Sequence, residues 1–278
     1  MKKIFLLCAI CACAMMAKAA NEVTICGTII SDEMAAAGII DSLNKVDGIT
    51  ATGSITYNSA TKVLTMNNAS VTCSLNEYLM KFATWAGDFS VVLVGDNVLR
   101  STYDGYKEGI VTDTYTNHIT FSGEGNLNIS VVKWYPIFLK GGTITIDNTT
   151  IVALSDQNAY SNGIDYNASV PGGSLVCNKA KLTTGNIHNL SGITLTGCEI
   201  TQPASATIVE EEGAWRVEKG SADIEKIIVI QPSGATAIDN TPFPSGDGRG
   251  EASKLLRNGQ IYLLRGDKTY TITGVEVK

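Results

Sequence analysis

HITFSGEGNLNISVVKWYPIFLKGGTITIDNTTIVALSDQNAYSNGIDY, residues 118–166, contains one unit of a repeat and the start of the next. Two alternating triplets, Ile119-Thr120-Phe121 and Leu127-Asn128-Ile129, are split by the turn Ser122-Gly123-Glu124-Gly125, and Ile137-Phe138-Leu139 follows a polar loop. The order then restarts: Ile144-Thr145-Ile146, the turn Asp147-Asn148, Ile151-Val152-Ala153, a longer loop, and Gly163-Ile164-Asp165-Tyr166. Alternation sends one side chain inward and the next outward, which is strand behaviour. Such short strands cannot bury their apolar face within one unit, so successive units must stack. The expected fold is all-β, a right-handed parallel β-helix (β-solenoid) of about six coils, with an N-terminal cap and a small C-terminal β-hairpin tail.

The same pattern extends in both directions from this stretch. Taking Leu64, Val92, Ile119, Ile144, Leu175 and Ile193 as equivalent first-strand positions gives separations of 28, 27, 25, 31 and 18 residues. These suit a three-sided coil with loops of varying length. Each first strand is followed by a sharp turn: Asn67-Asn68, Gly95-Asp96-Asn97, Gly123-Glu124-Gly125, Asp147-Asn148, Asn178-Lys179 and Thr196-Gly197. Asn, Asp and Gly suit such corners because they tolerate positive φ best. Second strands are expected around Val71, Val98-Leu99, Leu127, Ile151, Leu182 and Ile200. Third strands are announced by Gly109-Ile110-Val111, Pro136-Ile137-Phe138-Leu139, Gly163-Ile164 and Gly185-Asn186-Ile187.

The ends break the repeat. Val23 to Ile30 alternates like a strand, and Asp32 to Leu43 suits a short helix or turn, together an N-terminal cap over the open solenoid end. Past Gln202 the repeat fades into closing strands around Ile208, Trp215 and Ile228, with Trp215 as a lid over the last coil. Residues 20–230 thus form the β-helix with its cap, and the Pro-, Gly- and Ser-rich residues 231–253 read as a linker. Residues 254–278 form a β tail, in which Arg265-Gly266-Asp267 is a hairpin turn rather than a recognition motif.

Lys2 and Lys3, an apolar run from Ile4 to Met16 and Ala17-Lys18-Ala19 have the pattern of a secretory signal, residues 1–19. The run is too short to be a transmembrane segment and none is expected later, so the chain is expected to be secreted or at the cell surface, with outer-membrane association an open option. Removing Lys2, Lys3 and Lys18, with no acid, takes the net charge from −6 to −9. That balance argues against nucleic acid as a partner. Four cysteines remain, Cys26, Cys73, Cys177 and Cys198; export permits disulfides, three complete pairings are open, and the spacing is not that of a metal site. Their different positions in the repeat favour buried small side chains within the solenoid.

Two stretches carry a family resemblance. GSITYNSATKVLTMNNASV, residues 53–71, followed by FSVVLVGDNVL, residues 89–99, resembles the opening of secreted bacterial β-helix proteins labelled carbohydrate-binding-domain-containing. The likeness covers about Val23 to Gln202. It implies a parallel β-helix that binds polysaccharide or cell-surface glycan, with calcium sites as an option. KLLRNGQIYLLRGDKTYTITGVEVK, residues 254–278, resembles the C-terminal endings of exported Bacteroidetes proteins of the type IX sorting kind, although a full sorting domain has more strands.

The chemistry-bearing residues are sparse. There is no Gly-x-Ser-x-Gly, His-Glu-x-x-His or P-loop, and of the two histidines His118 sits at a strand start and His188 beside a third strand. Asp104, Glu108 and Asp113 share one coil but fall in loops, and Asp96, Glu124 and Asp147 mark corners rather than a defined carboxylate pair. The aromatics outside the core pattern are more telling: Tyr103, Tyr106 and Tyr115 in one coil, Trp134 and Tyr135 in the next, and Tyr160 in the one after. Taken as lying in loops between second and third strands, these rings form a ladder suited to stacking on sugars. The expectation is a non-catalytic polysaccharide-binding protein without a cofactor. The alternatives are an adhesive or structural surface protein with protein partners, and a polysaccharide lyase or glycoside hydrolase.

Overall fold

The computed structural model describes residues 22–83, 88–113, 118–157, 162–166, 169–219, 222–223, 227–234, 252–257, 260–265, 268–271 and 276–277. About 57% of the chain is strand and 6% helix, and stacked parallel coils make it a β-solenoid. Two compact units are present, Met1–Ser233 and Gly234–Lys278.

The cap comes first in the chain. Strands β1 (Glu22–Ile25) and β2 (Thr28–Ile29) form a hairpin, followed by helices α1 (Asp32–Ala37) and α2 (Ile39–Leu43) and strand β3 (Ile49–Asn58). Ser31 caps α1 by accepting a hydrogen bond from Met34 N at 3.2 Å. Strand β3 pairs antiparallel with β4 (Val63–Cys73), and β1 pairs antiparallel with β5 (Met80–Ala83). Both antiparallel pairings occupy the edge that the first coil would otherwise leave open. Gly53 makes a bulge in β3 possible: a Cβ there would stand 2.0 Å from the Asn68 carbonyl oxygen, and its φ is +80°.

The coils follow. Strand β4 bends at Asn68, so its first half lies on the first face and its second half on the second face. Then come β6 (Phe89–Val94), β7 (Asp96–Ser101) and β8 (Ile110–Thr112); β9 (His118–Ser122), β10 (Asn126–Val131) and β11 (Ile137–Leu139); β12 (Thr143–Asp147), β13 (Thr150–Ser155) and β14 (Ile164–Asp165); and β15 (Ser174–Asn178) and β16 (Lys181–Thr184). The first face stacks β4, β6, β9, β12, β15 and β17 (Gly192–Thr196) in parallel. The second stacks β4, β7, β10, β13 and β16, and the third β5, β8, β11 and β14, continued by a bridge from Ile164 to Ile187. Complete turns number about four rather than six, because both ends are finished by antiparallel strands.

Side chains inside the coil form columns. Phe89, Ile119, Ile144, Leu175 and Ile193 are aligned on the first face, and Met80, Ile110, Ile137, Ile164 and Ile187 on the third, all buried. Each such aliphatic side chain contributes roughly 1.5–3 kcal/mol by leaving water, and only when the next coil covers it. Val92 is not the first-strand equivalent: Phe89, Val91 and Leu93 point inward, and Leu64 pairs with Val91. The turns between first and second faces do use positive φ, at Asn68, Gly95, Gly123, Asn148, Lys179 and Gly197.

The far end differs from simple continuation. Strand β18 (Cys198–Gln202), with Ile200, does not stack on β16. Strand β22 (Ile228–Pro232) is inserted antiparallel between them. A hairpin of β19 (Thr207–Glu211) and β20 (Ala214–Lys219), joined by the short β21 (Ala222–Asp223), closes the third face. Leu190 and Trp215 exchange backbone hydrogen bonds at 3.1 and 2.7 Å, and half-buried Trp215 packs against the core there, in the lid position. In the second unit β23 (Ala252–Arg257), β24 (Gln260–Arg265), β25 (Lys268–Thr271) and β26 (Glu276–Val277) form an antiparallel sheet. Strand begins there at Ala252, inside the stretch read as linker, while Gly266 and Asp267 lie outside the described residues. Among the described residues no helix is long and apolar enough to cross a membrane.

Candidate functional site

Each passage from second to third face is a polar loop, and these loops lie side by side because the strands flanking them are in register. Residues 74–79 form the first, 102–109 the second and 132–136 the third. Close approach at the corner into the third face explains its glycines: a Cβ on Gly109 would meet the Pro136 carbonyl oxygen at 2.4 Å, and one on Gly163 the Asn186 carbonyl oxygen at 2.2 Å. The loops are tied to one another. Lys133 Nζ lies 2.8 Å from Asp104 Oδ1 and donates to the Asp104 carbonyl at 3.0 Å; Gly109 N donates to the Tyr135 carbonyl at 3.0 Å; Asn162 Nδ2 donates to the Lys133 carbonyl at 2.8 Å.

Rings from the second and third of these loops run in contact with Phe138 of β11 and Tyr166 just after β14. Tyr106 meets Trp134 edge to face with centroids 5.1 Å apart, Trp134 meets Tyr135 at 4.9 Å, Tyr135 stacks on Phe138 at 5.8 Å, and Phe138 meets Tyr166 at 5.5 Å. These separations fall in the favourable range for aromatic pairs. Tyr106 is 70% exposed, Trp134 and Tyr135 are half-buried, and Phe138 forms the floor. Tyr103 sits apart, its ring folded over Gly105, where a Cβ would lie 2.2 Å from it. Tyr115 and Tyr160 lie outside the described residues.

The strip contains residues that the aromatic pattern alone did not supply. The repeat pattern groups Phe138 and Tyr166 with the third-strand runs, yet Phe138 is the middle residue of its triplet and alternation turns it outward. The outward column on this face reads Lys81, Val111, Phe138, Asp165, and the Ile164–Ile187 bridge puts His188 next. Asp165 Oδ1 is buried without a hydrogen-bond partner, 3.8 Å from His188 Nδ1, and the Tyr135 hydroxyl is within reach of the same carboxylate. Burial first, then the Asp165 charge, pushes the Tyr135 phenol up to about 12, so its hydroxyl stays protonated at neutral pH. Tyr78, in the first loop, is also pushed up by burial and by Glu108, Glu77 and Asp113, and Lys107 Nζ stands 3.9 Å over its ring.

The acids are dispersed. Asp96 accepts from Asn126 Nδ2 at 2.6 Å on the second face, and Asp147 from Asn178 Nδ2 at 2.7 Å on the first, so the two corners do not stack. Asp113 lies 3.8 Å from Lys81, and exposed His118 has Nδ1 3.5 Å from Asp88. Among the described residues no group of three or more His, Cys, Asp or Glu side chains is arranged to hold a metal.

Compared with known proteins, the chain matches no family model, no curated protein and no solved structure.

Proposed function

We propose that this chain is an exported, non-catalytic protein that binds a neutral polysaccharide along the strip Tyr106, Trp134, Tyr135, Phe138 and Tyr166. The observation that carries the reading is the continuity of five rings across successive coils, exposed at the Tyr106 end and bordered by Asp165 and His188 at the other. Sugar rings stack on aromatic faces through their C–H surfaces, and few polar groups are needed to orient them. Asp165, His188 and the protonated Tyr135 hydroxyl supply acceptors and donors for sugar hydroxyls.

A neutral ligand is favoured over a uronate because the lysines of this face already serve internal contacts: Lys133 with Asp104, Lys81 with Asp113, Lys107 on Tyr78 and Lys140 near Phe138. The mature charge of −9 adds long-range repulsion of anionic chains. The test is retention of the chain lacking residues 1–19 on neutral and uronate polysaccharides, with and without calcium, with a reducing-end and unsaturated-product assay on the same samples. Retention on neutral glycan without product is expected. Product formation would overturn the non-catalytic reading, preference for uronate would overturn the ligand class, and retention on none would favour a surface protein with protein partners.

A further inference from the structure

The ring planes turn along the strip. Tyr106 and Trp134 are inclined at 81°, Trp134 and Tyr135 at 63°, Tyr135 and Phe138 at 22°, and Phe138 and Tyr166 at 60°. The path bends as well: Tyr106 and Trp134 stand in the loops between second and third faces, Tyr135 directly precedes Pro136 at the corner, Phe138 lies in β11 and Tyr166 just after β14. The points from which the rings project are anchored. Lys133, beside Trp134, lies 2.8 Å from Asp104 of the Tyr106 loop, Gly109 N donates to the Tyr135 carbonyl at 3.0 Å, and Asn189 Nδ2 donates to the Tyr166 carbonyl. Gly172 leaves the space that Tyr166 occupies, since a Cβ there would stand 2.4 Å from the Tyr166 Cβ. With these points fixed, flattening the strip would require side-chain rotations that break the edge-to-face contacts, each worth about 0.5–1.5 kcal/mol.

A sugar stacks by laying its C–H face parallel to an aromatic ring. In an extended ribbon of the β-1,4 kind successive sugars keep their planes parallel, so one ribbon cannot lie flat on two rings inclined at 81°. In a coiled chain, such as an α-1,4- or β-1,3-linked glucan, the sugar planes turn from one residue to the next and can follow rings that turn. We propose that the strip selects single neutral glycan chains of coiled form over flat ribbon chains. This rests on the reading of the strip as a glycan site and narrows its ligand to a conformational class. Tyr106 sets the preference: it is 70% exposed and the most steeply inclined to its neighbour. A ribbon stacked on Trp134 meets Tyr106 without stacking on it, whereas a coiled chain bends to meet its face. Because the rings are held in this arrangement before the ligand arrives, the selection is built into the free protein.

The test is calorimetric titration of four soluble neutral hexasaccharides into the chain lacking residues 1–19: maltohexaose and laminarihexaose as coiled forms, cellohexaose and mannohexaose as ribbons. At least one coiled form is expected to bind about tenfold or more tighter than either ribbon. Tyr106→Ala should lower the affinity for that ligand by about fivefold or more and leave any ribbon affinity unchanged. Equal or tighter binding of a ribbon would overturn the coiled-chain inference while leaving the strip as a glycan site, and so would an equal loss for both forms in Tyr106→Ala. Binding of none of the four would overturn the inference, and retention on the polysaccharide panel then decides whether the glycan reading falls with it.

Discussion

Asn97 ties neighbouring coils together from the interior. Fully buried, it accepts from Ala69 N at 2.9 Å and donates towards the carbonyls of Val94, Gly95 and Asn126 at 3.1–3.2 Å, joining three successive coils. Asn97→Ala removes these bonds and leaves Ala69 N without its acceptor, so a loss of about 2–4 kcal/mol is expected in denaturant unfolding. The sequence placed Asn97 in a turn, because a polar residue after Gly95-Asp96 looks like a corner; two of its partners are 28 and 29 residues away and invisible to local pattern. Tyr135 gives a pH signature. Its folded pKa lies above the ordinary tyrosine value, so its contribution to stability is complete below pH ~10 and lost as pH rises from there through about 12. Stability of the wild type should therefore fall more steeply than that of Tyr135→Phe over this range, as read from unfolding midpoints at successive pH values. The outward aromatics of the loops were legible at Tyr106, Trp134 and Tyr135, whereas Asp165 and His188 were not, since only the coil register makes them neighbours.

Turns and strands carry the next set of consequences. Lys179 holds the left-handed corner that Asn or Gly occupies in the other coils, at φ +46°. Lys179→Asn should raise stability by up to about 1 kcal/mol, because the backbone conformation is kept and its steric cost reduced. Gly109→Ala works in the opposite direction: the added Cβ meets the Pro136 carbonyl, so about 1–3 kcal/mol should be lost and the Trp134-Tyr135 loop displaced, weakening glycan retention with it. The three-strand rhythm, the corners and the third-face glycines were legible because each reflects a local backbone demand. Parity in Phe89-Ser90-Val91-Val92-Leu93-Val94 was not, since adjacent apolar residues fit either face until pairing with Leu64 and Ile119 fixes which point inward. Strand β22 escaped for the same reason: its place between β16 and β18 is set by contacts distant in sequence.

At the scale of the molecule, both solenoid ends are covered by antiparallel strands, β1 and β3 at one and β22 with the β19–β20 hairpin at the other. A chain ending at Gln202 loses the strand that pairs with β16 and β18 and leaves their edges open. It should self-associate, giving a mass above the monomer by light scattering, whereas in the intact chain β22 pairs with both of those strands. Between the two caps, stacking gives the fold its regularity and sets the loop aromatics side by side, so a sugar chain would run across coils rather than along one. The most direct measurement is calorimetric titration of the best-retained neutral polysaccharide into the chain lacking residues 1–19, into Trp134→Ala, and into Trp215→Phe at the far cap. A loss of at least about tenfold in affinity for Trp134→Ala, ~1.4 kcal/mol, with Trp215→Phe unchanged, is predicted. Equal affinity in Trp134→Ala and the wild type would contradict the aromatic strip as the binding surface.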